Sequence, residues 1–89
     1  DEVGPGFDAQ SDDELNEYVR SKADTAYHPC GTCKMGVDGM AVVDQNLKVN
    51  GIRNLRVIDA SVIPEIPSAN LNAPTLMIAE KGSEAILNN

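Results

Sequence analysis

The chain has 89 residues, with fourteen acidic against seven basic side chains, a net charge of −7, two cysteines, one histidine and no tryptophan. A chain of this length makes one small domain at most, or a piece of a larger one, and its core must rest on aliphatic side chains. No basic patch is present to neutralise phosphates, no apolar run approaches the ~20 residues of a membrane span, and two cysteines make no disulfide framework. Nucleic-acid binding is therefore not expected, and a reducing compartment is the default.

Residues 1–10 read as an irregular lead-in broken by Gly4-Pro5-Gly6, and the chain starts at Asp1 without an initiator methionine. These features suggest an excised segment, expected to be the C-terminal fragment of a larger protein. Ser11 with Glu14 three positions later is a capping box, and Asp12, Asp13 and Glu14 lie where a helix dipole favours negative charge. Leu15, Tyr18, Val19 and Ala23 then make one apolar stripe, so a helix is expected from Ser11 to about Asp24. Eight of the fourteen acids lie in residues 1–25, where they read as a solvated acidic face.

Further on, Met40-Ala41-Val42-Val43 and Leu47-Lys48-Val49 flank a turn at Asp44-Gln45-Asn46, which predicts a short hairpin. Asn50-Gly51 is a strong turn signal, and Leu55-Arg56-Val57-Ile58 follows as a compact strand. Pro64 and Pro67 prevent regular structure until Asn70. Pro74 suits the first turn of a final helix over roughly residues 73–87, with Leu76, Ala79, Gly82, Ser83 and Ile86 on one face. The fold class is α+β: helix, loop, hairpin, strand, loop, helix.

Chemistry concentrates in Tyr27-His28-Pro29-Cys30-Gly31-Thr32-Cys33-Lys34-Met35-Gly36, which holds the histidine and both cysteines. The CxxC pair suits a redox dithiol or half of a zinc site, with His28 as a third ligand, but no fourth ligand is in view. Packing of two small, half-buried side chains in a loop explains the pair better, so no metal is assigned. His28 suits acid–base work on a substrate hydroxyl, because imidazole titrates near neutral pH. Asn70 and Asn72 add amides that both donate and accept, although turn formation and helix capping account for them as readily. The N-terminus of the last helix presents free N–H groups suited to an anionic partner.

These stretches, with Ala41-Val42-Val43-Asp44, Leu55-Arg56-Val57-Ile58-Asp59-Ala60-Ser61 and Asn70-Leu71-Asn72-Ala73-Pro74-Thr75, resemble the C-terminal segment of glucose–methanol–choline (GMC) flavoprotein oxidoreductases. The likeness runs along essentially the whole chain and is strongest to the choline-oxidising bacterial branch. It implies an FAD-binding α/β Rossmann-like domain plus a substrate domain in the intact enzyme. Residues 11–54 would belong mostly to the substrate and active-site part, and residues 55–89 would complete the FAD-binding domain. By the same resemblance His28 and Asn70 form the catalytic pair, with His28 as base or as hydrogen-bond partner to the substrate alkoxide. Asp59 and Ala60 resemble the contact to the FAD ribityl–pyrophosphate region. Asn72, Ala73, Pro74 and Thr75 resemble the segment that meets the flavin pyrimidine ring.

The family's Gly-x-Gly-x-x-Gly loop is absent from these residues, so the fragment alone is expected to be inactive and to bind FAD weakly. Its expected partners are choline or another primary alcohol, the rest of the parent polypeptide and an electron acceptor of a respiratory chain. Self-association through faces meant for the parent is also expected. The implied location is the bacterial cytoplasm, with peripheral association at the inner membrane as an option. The alternative of another class is a small CxxC metal or redox module.

Overall fold

The computed structural model describes residues 3–88. Helix α1 spans Asp12–Lys22, a 3-10 turn spans Ala60–Val62, and helix α2 spans Asn72–Leu87. The capping box is formed as the sequence predicts: the Glu14 N–H donates to Ser11 Oγ, and the Ser11 N–H donates to Glu14 Oε1. The helix stops two residues before Asp24. No residue of α1 is buried: among the described residues Tyr18 of the apolar stripe is half-covered, with Gly4 against its ring, while Val19 is 58% exposed.

The central region departs from the expected hairpin and strand. Among the described residues β-pairing is limited to three isolated bridges: Met35 with Val43, Val43 with Val49, and Lys48 with Arg56. Local side-chain chemistry interrupts the ladder. Asp44 Oδ1 accepts from the Asn46 and Lys48 N–H groups at 2.8 and 3.1 Å, folding residues 44–48 into a side-chain-stabilised turn. Leu47 and Asn54 have left-handed φ values of 65° and 63°, which no extended strand accommodates. Backbone bonds still tie the pieces together, with Val49 donating to Leu55 and Val57 to Leu47.

The core is small. Val43 and Val62 are fully buried and Leu47 nearly so, with Met35, Val57, Ile58 and Ile78 packed around them. Accessible surface is 7128 Å², against about 5,000 Å² for a compact monomer of this length. The radius of gyration is 19.4 Å, where a compact domain of ~100 residues has about 13 Å. The excess goes with an extended shape, measuring 60 × 28 × 15 Å.

Helix α2 starts one residue before the expected position; Ala79 and Gly82 of the expected face are covered, but the inward face is rotated about them. Leu76, Ser83 and Ile86, expected on the packed face, are exposed; Ile78, Gly82 and Ala85 are the more covered positions. The reason is the close approach of α2 to the Ile58 segment. A Cβ on Gly82 would lie 2.6 Å from Ile58 Cγ2 and 2.8 Å from its Cδ1. Only glycine lets the helix sit at that distance.

Replacing Gly82 with alanine should gain about 1 kcal/mol of helix propensity and lose about 1–3 kcal/mol to overpacking. We expect a net loss of stability in denaturant titration. In an Ile58→Ala background the clash is removed and the same change should become stabilising. Equal effects in the two backgrounds would refute the contact.

Candidate active site

Three segments far apart in sequence meet along the loop that carries His28. The Cys33 and Met35 N–H groups donate to the carbonyls of Ser61 and Val62, both at 2.9 Å, so the 28–36 loop lies along the 3-10 turn. Gly31 carries a φ of +90°, and a Cβ there would stand 3.4 Å from the Ile63 carbonyl oxygen. The turn therefore needs glycine for its backbone conformation. The loop is anchored again at its start, where the Leu71 N–H donates to His28 Nδ1 at 3.4 Å.

That bond is long but sets a preference. A ring nitrogen that accepts holds no proton, so the neutral imidazole carries its proton on Nε2. His28 is half-buried, and the residue before it, Tyr27, is held in a left-handed conformation with φ 60°. Asn70 immediately precedes the residue bonded to His28, and its side chain is exposed. The structure thus brings His28 and the 70–72 segment together.

Asp59 and Ala60 open the 3-10 turn. The Asp59 carboxylate accepts from the Ser61 N–H at 2.8 Å and from the Ser61 hydroxyl. Its side chain is engaged in holding the turn. The turn itself was not anticipated from sequence, although Asp-x-Ser is a recognisable side-chain turn signal. Asn72 and Ala73 are exposed at the start of α2, while Pro74 and Thr75 are half-buried. No side chain caps this helix and no acid occupies its first turn, so its N–H groups face no competing anion of their own.

The two cysteines are free and half-buried. Among the described residues no three His, Cys, Asp or Glu side chains converge in a way that could hold a metal. Lys34, between the cysteines and the loop tip, pairs with Asp38 at 3.1 Å. That hydrogen bond, followed by the Met40 N–H, holds the Asp38 carboxyl below its ordinary value of 3.8.

A family model described as GMC oxidoreductase matches residues 1–79. The chain belongs to the GMC oxidoreductase family. Among relatives in the family, the oxygen-dependent choline dehydrogenase of Klebsiella pneumoniae subsp. pneumoniae is 59% identical over 85 residues, which are 96% of this chain and 15% of that protein. The enzyme of the same name from Citrobacter koseri is 56% identical over the same shares of the two chains. The crystal structure of pyridoxine 4-oxidase from Mesorbium loti matches with a TM-score of 0.85 and 37% identity, over 98% of this chain and 17% of that one. The chain therefore spans about 15% of the length of the curated relatives it matches.

GMC membership implies a flavin cofactor, and the residues here fit one in part. The uncapped first turn of α2, with Asn72 and Ala73 exposed, suits an electron-rich ring edge. The Asp59 side chain fits less directly, because its carboxylate is already held by Ser61.

Two expectations follow from the loop. Gly31→Ala should destabilise the protein by about 1–3 kcal/mol through backbone strain, read as a lower denaturation midpoint. An unchanged midpoint would show that residue 31 tolerates a side chain. The Asp38 carboxyl carbon should titrate below 3.8 and move upward in Lys34→Met. Because its folded value is depressed, its contribution is present above the unfolded value and fades as pH falls through the folded one. An unmoved midpoint in Lys34→Met would exclude the pair in solution.

Proposed function

We propose that this chain is the C-terminal part of an FAD-dependent alcohol dehydrogenase that oxidises choline to betaine aldehyde. Residues 11–54 contribute mainly to its substrate and active-site part, and residues 55–89 complete its FAD-binding domain. The observation that carries the reading is the Leu71 N–H to His28 Nδ1 bond, which sets the imidazole against the uncapped start of α2. Identities of 59% and 56% to choline dehydrogenases over 96% of the chain support the substrate.

When bound, the flavin supplies the two-electron acceptor for the hydride that leaves the carbinol carbon. His28 and Asn70 serve the substrate oxygen. With Nδ1 occupied by the Leu71 N–H, the neutral ring offers Nε2–H as a donor, which holds and stabilises the oxygen as it takes on alkoxide character. For His28 to take the hydroxyl proton on Nε2, the ring proton must first leave that atom. The geometry thus favours the hydrogen-bonding role over that of base. Asn70, as an amide, positions the oxygen without exchanging protons. The positive end of α2 would favour negative charge on the reduced ring.

The excess accessible surface also supports a severed piece, since about 2,000 Å² beyond a compact monomer is the size of a stable interface. The location, in the bacterial cytoplasm with peripheral inner-membrane contact, and transfer of electrons to a respiratory acceptor belong to the same proposal.

The experiment is FAD titration and choline turnover in the longer polypeptide carrying this chain, with an artificial acceptor and with oxygen. Flavin binding and choline-dependent reduction are expected. Turnover of pyridoxine but not choline would move the substrate to that of the structural neighbour, and a flavin-free protein would end the reading. His28→Ala should retain flavin and lose about 10²–10⁴-fold in kcat. Unaltered kcat would remove His28 from the site.

A further inference from the structure

Residues 48–56, with Asp44, Ile58 and Ile86, line a groove of about 710 Å³ on the side of the core formed by the Lys48–Arg56 bridge. Its charge is unbalanced. Lys48, Arg53 and Arg56 meet one acid, Asp44, and the Oδ1 atom of Asp44 already accepts from two backbone N–H groups of its own turn. Among the described residues the only ion pair is Lys34–Asp38, so none of the three groove cations has an acidic partner there. Lys48 and Arg56 stand opposite each other in an antiparallel bridge, where like charges destabilise the pairing. Arg56 Nη1 is moreover buried and makes no hydrogen bond. That donor is enclosed by the chain itself, so an incoming carboxylate would meet the rest of the Arg56 guanidinium, whose charge has no acidic partner among the described residues.

We propose that the groove receives a carboxylate carried by a segment of the same longer polypeptide outside these 89 residues. This inference rests on the preceding reading that such a polypeptide exists. Three observations choose this occupant. Relatives extend far beyond this chain, which spans 15% of their length, so there is a donor segment to supply it. Ile52, Leu55 and Ile86 line the groove while 57%, 46% and 54% exposed, and a small oxyanion would leave them wet where a protein segment covers them. A second copy must overcome the repulsion between two chains of net charge −7 before its acidic residues 1–25 can reach the groove. The acidic side chain bridges Lys48 and Arg56, and an apolar neighbour on the same segment covers Ile52 and Ile86.

The test is zero-length carbodiimide coupling in the longer flavoprotein, read by peptide mass spectrometry. Lys48 supplies one reactive amine, and Arg56→Lys introduces another on the opposite strand. An amide to an Asp or Glu outside residues 1–89 of the same polypeptide is expected, on the order of tenfold more abundant in folded than in urea-unfolded protein. Arg56→Met should lower the denaturation midpoint and Arg56→Lys should restore part of it. Coupling only to Asp44, only between two copies, or none in the folded protein would overturn the proposal. So would inorganic phosphate raising the midpoint of the wild type but not of Arg56→Met, because it would mark a small-anion site. Flavin content of the same preparation is read separately. A flavin-bound protein without the amide refutes the groove assignment alone, and a flavin-free protein with it refutes the enzyme reading alone.

Discussion

Two backbone hydrogen bonds, from Cys33 to Ser61 and from Met35 to Val62, align the histidine loop along the 3-10 turn above a fully buried Val62. Other features of the candidate site depend on this alignment. The same loop pairs at Met35 with Val43, the other fully buried side chain, so the loop and the core share one seam. Once the loop is fixed there, His28 needs only one more bond, to Leu71, to stand at the head of α2. Each net hydrogen bond is worth only about 1 kcal/mol. The alignment is therefore a matter of geometry more than of strength.

Legibility in the sequence follows the range of the interactions. The capping box of α1 was readable because both partners lie within four residues, and α2 because Pro74 opens it and no breaker follows until its end. The hairpin turn and the antiparallel pairing of Val43 with Val49 stand where the pattern puts them, but the ladder is cut to isolated bridges by the Asp44 side-chain turn and by left-handed Leu47 and Asn54, which period-two patterning does not register. On α2 the sequence pattern finds Ala79 and Gly82 but wrongly adds Leu76, Ser83 and Ile86, for another reason. Its orientation is tied to the close packing of Ile58 on Gly82, where a Cβ would come within 2.6 Å of Ile58 Cγ2, a long-range steric fact with no local signature. Likewise the pattern around His28 pointed to the loop, but its partner is a main-chain N–H, and every residue except proline has one.

The charge distribution divides the molecule. Acids gather on α1, which packs little against the rest, whereas the groove cations sit beside the core without partners. A self-contained domain would be expected to fold these onto each other. The chain keeps them apart, consistent with surfaces that complete themselves elsewhere in a GMC oxidoreductase.

The thinness of the layer, 15 Å in its shortest dimension, has a thermal consequence. With so few apolar side chains removed from water, the heat-capacity change on unfolding must be small for the chain's length. Its stability curve is correspondingly shallow, without the steep loss on heating that marks a large core. Cold should weaken it little as well, because there is little hydrophobic driving force to fade. The temperature response of the histidine loop then comes chiefly from the enthalpy of its polar seam.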